Sequence, residues 1–379
     1  MTGQMGVIND LHFANISNSF YNKRVIKLIL IIFVLSTSAS IKQAHAAGTR
    51  GEIQRYTLLH DRYIVDRGLR KLRYDQFLDL DIVASSGLKS FLGEVESSSK
   101  NASTTAERDV AVLGALAKNV NTERFVDIDV TLGAPLPYIR YRKFQLLPNL
   151  FYNINMGAST TLSNLEDGTS IRSQSYLKIE KRMGILSRIK WNKEEEVRLA
   201  LYSFTKSDVA LDLDVSGVAG KSSVFKFDDA IRDQKMIASD WGYTLTKPRY
   251  TLLAEVQELQ LLSQSKGVKS LQGTRPFIHT RITNNLRIGD LLLKPFYGFH
   301  FRRWYNLMEG LYVGASLKYN IEIPFEFLMK LSDEFITLMP QFKTKYFQFI
   351  YSIKTPYRNP RDKIWVSALH NVNISIPIP

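Results

Sequence analysis

Cysteine is missing from the 379-residue chain. Its absence excludes a disulfide framework, a Cys-ligated zinc or iron–sulfur site, a thiol nucleophile and a lipid-modified cysteine. Glycine and proline are sparse, at 21 and 12 residues, while 21 Phe, 18 Tyr and 4 Trp make the chain aromatic-rich, so neither collagen nor intrinsic disorder fits. Long apolar runs are lacking too. Past residue 35 nothing approaches the ~18 apolar residues of a transmembrane helix, which excludes a helical inner-membrane protein. No G-x-S-x-G, H-E-x-x-H, P-loop or paired-carboxylate motif stands in a suitable context, so neither an enzyme nor a metal or cofactor site is expected. Acids are outnumbered, 36 against 50 Lys and Arg, and the net charge is +14. That excess is scattered over the chain and makes no contiguous basic stripe, which argues against a nucleic-acid partner.

The first segment carries an address. Lys23, Arg24 and Lys27 precede the apolar run Leu28–Leu35, and small residues follow up to Ala44-His45-Ala46. This is the order of a secretory signal, so residues 1–46 are expected to be removed near Ala46/Ala47. The alternative is an uncleaved anchor. An exported chain without further long apolar segments is periplasmic, secreted or an outer-membrane barrel.

Two regions follow with different periods. Residues 47–124 have a helical texture: Leu58, Val65, Leu69 and Leu72 recur at helical spacing over Arg55–Arg73, and Thr104-Thr105-Ala106-Glu107 forms a capping box ahead of Val110, Leu113 and Leu116. From Phe125 onward the period is two. Leu150, Tyr152, Ile154, Met156 and Ala158 alternate with Asn149, Phe151, Asn153, Asn155 and Gly157. The stripe Leu311, Val313, Ala315 and onward to Leu331 is the longest such run. Over Arg275–Arg303 the apolar parity flips at Gly289-Asp290, as a two-residue hairpin demands, and Gly289 suits the first loop position. That register pairs residues whose numbers sum to 579, so His279 is expected opposite His300. About 12 antiparallel strands are expected, within a range of 10 to 14.

One face of these strands is apolar and the other small, polar and charged, and aromatics such as Tyr152, Trp191, Trp241, Trp304 and Trp365 lie toward the strand ends. With the signal sequence and the lack of cysteine, the segment Phe125–Pro379 resembles the bacterial outer-membrane β-barrels. The class commonly ends in an aromatic residue that its assembly machinery reads, whereas this chain ends Ile376-Pro377-Ile378-Pro379. The resemblance implies an all-β transmembrane barrel over 125–379, behind a helical region that is a plug or a periplasmic piece, with outer-membrane lipid and the barrel-assembly machinery as partners.

Two candidate features lie on the polar face. His279, His300, Arg281 and Arg302 are expected to form a cationic cluster in the lumen, able to hold an anion more tightly as the imidazoles protonate. Lys178, Arg182, Arg188 and Lys190 against Glu180 alone would make a basic wall that favours anions, unless acids on neighbouring strands pair with them. The expected function is a narrow or plugged channel for small, anionic or amphipathic solutes. The alternatives are a structural barrel that anchors envelope partners, and a soluble periplasmic β-sandwich that binds a ligand.

Overall fold

The computed structural model describes residues 49–70, 74–100, 104–141, 144–164, 171–214, 232–264, 276–319, 324–360 and 363–378. The expected signal segment lies outside them. A helix α1 (Thr49–Arg70) comes first, then strand β1 (Gln76–Ser85), and then a pair of helices, α2 (Leu88–Lys100) and α3 (Thr105–Lys118). The remaining strands are β2 (Thr122–Pro135), β3 (Phe144–Asn164), β4 (Ile171–Lys190), β5 (Glu195–Asp214), β6 (Arg232–Thr246), β7 (Tyr250–Ser263) and β8 (Phe277–Asn284). They continue as β9 (Leu291–Phe301), β10 (Leu311–Tyr319), β11 (Phe325–Ser332), β12 (Phe335–Lys343), β13 (Gln348–Pro356) and β14 (Leu369–Pro377). Three short segments complete the sheet: Ile139–Tyr141 prolongs β2, Leu286–Ile288 prolongs β8, and Trp365–Val366 makes a parallel bridge to β2.

Each strand pairs antiparallel with its sequence neighbours, and β1 pairs with both β2 and β14, so the meander closes on itself. The barrel therefore has 14 strands, two more than the central expectation. Closure also removes the β-sandwich alternative, since no sheet edge is left to form a second layer. One extra strand is β1, which lies inside the region read as helical. The expected stripe 311–331 is two strands, β10 and β11. Their register pairs Tyr312 with Ser332 and Val313 with Leu331, so odd residues face outward on both and parity does not betray the turn.

The capping box of α3 is present as read, with Thr104 accepting from the Glu107 N–H and Glu107 accepting from the Thr104 N–H. The hairpin register is also as read. Leu286 pairs with Leu293, His279 with His300, and Gly289 has φ of +59°, a conformation that suits glycine.

Burial runs opposite to that of a soluble protein. Leu150, Met183, Leu201, Val313, Met329 and Leu331 are exposed, while Asn153, Asn155, Arg182 and Asn373 are fully buried. A large apolar surface outside and a polar interior is the distribution expected when lipid covers the wall. One end of the barrel has the short connections 191–194, 247–249, 289–290 and 344–347. Tyr141, Phe144, Tyr319, Phe325, Phe342 and Tyr346 stand exposed near this end, an aromatic girdle.

Candidate functional site in the barrel lumen

Helix α1 carries charge on every side, which in water would make a poor core helix. Here it is buried all round, Tyr56, Leu59, Asp61, Arg62, Val65 and Asp66 each being at most 2% exposed. Its partners come from the inner faces of strands around the whole wall. At its N-terminal end Glu52 accepts hydrogen bonds from Ser159 Oγ (2.5 Å) and Thr161 Oγ1 (2.8 Å) on β3. Arg55 bridges Glu123 on β2 (2.6 Å) and Glu334 (2.7 Å), and Arg62 meets Glu334 (2.5 Å) and Asp333 in the β11–β12 turn.

Midway, Asp127 of β2 accepts from Tyr56 Oη (2.5 Å) and lies 3.0 Å from His60 Nδ1. Lys178 sits over the Tyr56 ring at 5.1 Å. Gly157 makes room for that ring, because a Cβ there would lie 1.7 Å from Tyr56 Oη. Asp61 receives Arg302 in bidentate fashion (2.5 and 2.8 Å) together with the Tyr305 hydroxyl. Toward the C-terminal end Asp66 pairs with Lys330 of β11 and Lys354 of β13 (2.6 Å). Arg281 donates to the Gly68 carbonyl at 2.9 Å, capping the helix end where bare carbonyls carry partial negative charge. Such side chains are stable inside only when each charge is matched.

One group is poised to titrate. Burial, reinforced by repulsion from Glu123, pushes the Glu52 carboxyl up to about 7, against the lowering effect of Ser159, Thr161 and Arg55.

The two candidate features are resolved into this network. His279 and His300 do face each other. His279 lies 3.2 Å from Glu255 and 2.7 Å from the Tyr312 hydroxyl, and His300 packs edge-on against Tyr305. Arg302 is shared between Asp61 and Glu258 (2.9 Å). The basic wall is matched as well. Lys178 and Arg182 share Glu180 (3.1 and 2.9 Å), Arg182 also takes Glu258 (2.6 Å), and Arg188 and Lys190 share Glu196 (both 3.2 Å), with Asp75 on Arg188 (2.7 Å). Glu196 and Glu258 thus stand on other strands, Glu180 on the same one and Asp75 before β1.

A second cluster was missed by sequence reading. Arg67 reaches Asp79 and Asp129 (2.7 Å), with Asp81 at 3.7 Å. The four aspartates Asp79, Asp81, Asp127 and Asp129 are at most 2% exposed. Each accepts from one asparagine of a flanking strand: Asn373 to Asp79 (2.7 Å), Asn371 to Asp81 (3.0 Å), Asn155 to Asp127 (2.6 Å) and Asn153 to Asp129 (3.0 Å). The signal that reveals it is an internal repeat, Phe77-Leu78-Asp79-Leu80-Asp81-Ile82 against Phe125-Val126-Asp127-Ile128-Asp129-Val130. A second repeat, Asn371-Val372-Asn373 against Asn153-Ile154-Asn155, flanks it. Asp81 pairs directly with Asp129, so a local two-fold relation passes through that pair and exchanges the two halves.

No protein-family model and no curated protein matches the chain. Some solved structures are similar to it in part. The Ralstonia pickettii toluene transporter TbuX has a TM-score of 0.38 at 12% identity, over 79% of this chain and 87% of that one. The transport unit of the autotransporter AIDA-I from Escherichia coli has a TM-score of 0.37 at 7% identity, over 86% and 98%. CdiB from Acinetobacter baumannii has a TM-score of 0.36 at 9% identity and 80% coverage, and this chain spans 60% of that protein's length.

Proposed function

We propose that the chain is an outer-membrane transport barrel whose lumen is closed by helix α1. The carrying observation is that a helix with charges on all sides lies buried inside a closed barrel, held by ion pairs to residues of β1, β2, β11 and β13, of the β11–β12 turn and to Arg302 just past β9. Short turns face the periplasm in barrels of this kind, so α1 would run from the outer face at Thr49 to the periplasmic face at Arg70, where β1 begins. The inverted burial and the girdle favour lipid as the surrounding medium. Passage of solute requires α1 to shift or leave, since the helix lies buried in the lumen with its side chains bonded to the wall.

The anionic solutes suggested by the basic residues would have to break pairs such as Arg302–Asp61 and Lys178–Glu180, and amphipathic ones would need a path beside the helix. The test has two stages. A heat-dependent mobility shift of the protein in outer-membrane fractions is expected, and an unshifted soluble protein would refute the membrane reading. Planar-bilayer recording of the full-length chain should then show rare openings that become frequent when α1 contacts are cut. Absence of current from every such variant would refute transport and leave a structural barrel.

A further inference from the structure

We propose that Lys181 and Lys235, with Thr205 between them, form a site on the outward face of the wall for the phosphate group of an outer-leaflet lipid. This rests on the outer-membrane reading and deepens it by naming the lipid chemistry that one sector of the barrel takes.

The register brings the three side chains together. Lys181 on β4 pairs directly with Thr205 on β5, and Thr205 pairs directly with Lys235 on β6. Glu180, Arg182, Phe204, Gln234 and Met236, which flank them along the strands, are buried inside, so the alternation of a strand turns Lys181, Thr205 and Lys235 outward. Both lysines are exposed and Thr205 is half-buried. Directly opposed Cβ atoms lie about 4.5–5.5 Å apart, which sets the two lysines about 10 Å from each other with the hydroxyl midway. Their four-carbon stems are long enough to bring both ammonium groups over Thr205. Two ammonium groups and a hydroxyl are donors that suit the oxygens of one phosphate.

The height of this row is right for a headgroup. Beside the short turns the same three strands carry the row Lys190, Glu196 and Thr244, and the site lies nine residues further along each of them. A tilted strand crosses the hydrocarbon in about 9–11 residues, so the site falls where the apolar band ends. Between the two rows the outward positions are mostly apolar, with Ile185, Met183, Leu199, Leu201, Trp241 and Ile237. One row beyond the site stand Ser207 and Asp233, joined at 2.6 Å, so polar surface continues outward on β5 and β6. A lysine on the lipid face is costly at the bilayer midplane and tolerated at this depth, where its ammonium reaches the phosphates.

The direction of these two charges sets them apart. Other basic residues of β4 and β5 point into the lumen and meet acids there: Lys178 with Glu180 (3.1 Å), Arg182 with Glu258 (2.6 Å) and Lys206 with Asp208 (3.4 Å). Lys181 and Lys235 point the opposite way, on one row and two strands apart. Even with Asp233 counted against them, the outward patch keeps a net positive charge among the described residues.

The test reads lipid retention on the full-length barrel. Purified protein in neutral detergent is equilibrated with dioleoylphosphatidic acid, whose headgroup is a bare phosphate, and in parallel with dioleoylphosphatidylcholine of the same chains. Bound lipid is read by native mass spectrometry. The unaltered chain should retain phosphatidic acid well above phosphatidylcholine, and Lys181→Gln with Lys235→Gln should weaken that retention by about tenfold or more. Lys181→Arg with Lys235→Arg should keep it, since a guanidinium also donates to phosphate. Equal retention by the glutamine variant, or equal retention of phosphatidylcholine, overturns the proposal. Release of phosphatidic acid by the same concentration of inorganic phosphate would make the ligand a free ion and overturn the lipid as its source. Where the paired glutamine variant does not assemble, Lys181→Gln alone is read in the same way. The heat-dependent mobility shift is recorded on every variant, so a heat-modifiable outer-membrane barrel that retains no phosphatidic acid refutes the site alone, whereas a soluble, unshifted chain refutes the membrane reading and the site with it.

Discussion

Replacing Asp66 by Asn strikes the plug where its attachment is most concentrated. The carboxylate is 2% exposed and, among the described residues, it is the sole ion-pair partner of both Lys330 and Lys354, which are themselves 2% and 6% exposed. An amide of the same shape removes the charge and leaves two ammonium groups of like sign side by side, one on each side of Thr337. Breaking a buried pair by removing one partner costs about 3–5 kcal/mol. All of that loss falls on the docked state, because an undocked helix leaves all three groups to water. About 4 kcal/mol corresponds to close to a thousandfold shift in the docking equilibrium. The assay is single-channel recording of Asp66→Asn beside the unaltered chain, with heat-modifiability as proof that the wall is intact. Open probability should rise steeply. A combined Asp66→Met, Lys330→Met, Lys354→Met variant should return toward the closed behaviour, since an apolar triad of similar volume needs no counter-charge. If Asp66→Asn is as closed as the unaltered barrel while the triple variant is no different, α1 is not held by these pairs and the plug reasoning fails.

Docking should also weaken with rising pH at the outer end of α1. The folded-state pKa of Glu52 lies above its ordinary 4.5, so the docked state is favoured fully below about 4.5 and loses that advantage as pH passes about 7, a span of about 3 kcal/mol. Amide exchange of the first turns of α1 at pH 5 and pH 8 checks this, and Glu52→Gln should abolish the difference. Gly157→Ala places a methyl where Tyr56 Oη lies and should push Tyr56 off Asp127, costing about 1–3 kcal/mol by overpacking; a thermal midpoint equal to that of the unaltered chain would contradict the close approach. In this cysteine-free chain, His279→Cys with His300→Cys should oxidise to a single internal crosslink detectable by mass spectrometry, as their direct pairing requires.

The wall was legible because a barrel strand separates two media and so alternates at every residue. The β8–β9 register could even be numbered, since a two-residue turn forces parity to flip. Legibility failed where parity is conserved across a turn, as between β10 and β11, and where a strand is embedded among helices, as β1 is between α1 and α2. The contents of the lumen were less readable for a different reason. Charges on α1 read by themselves as a solvated face. Their partners are remote, Glu334 lying 279 positions from Arg55 and Arg302 lying 241 from Asp61, and no local pattern connects them. The basic residues of β4 suffered the same error, because beyond Glu180 on the same strand the acids that neutralise Arg182 and Arg188 stand on other strands or in the segment before β1. The aspartate strip differs: its repeated Phe-x-Asp-x-Asp was present in the sequence, and a search for internal repeats would have found it.

The kind of contact that holds α1 bears on whether it can move. The apolar share is modest: Ile53, Leu59, Ile64 and Val65 pack with Phe125, Phe277 and Phe335 into the barrel's inner cluster. At about 25 cal/mol per Å² such burial is firm, and a helix attached by it alone would stay. Most of the remaining interface is ionic, and there the attraction between partners is largely offset by the desolvation of both, so the net contribution per pair is small although the loss of either partner is severe. A plug of this composition is strict about position and weak in overall grip. Water or a competing ion entering at one end re-solvates the charges it frees and so recovers part of what each broken pair loses. Glu52 shows the direction: its deprotonation loosens the outer end without touching Asp66 or Arg67 at the other. The helix can therefore detach in stages, from its outer end toward Asp66 and Arg67.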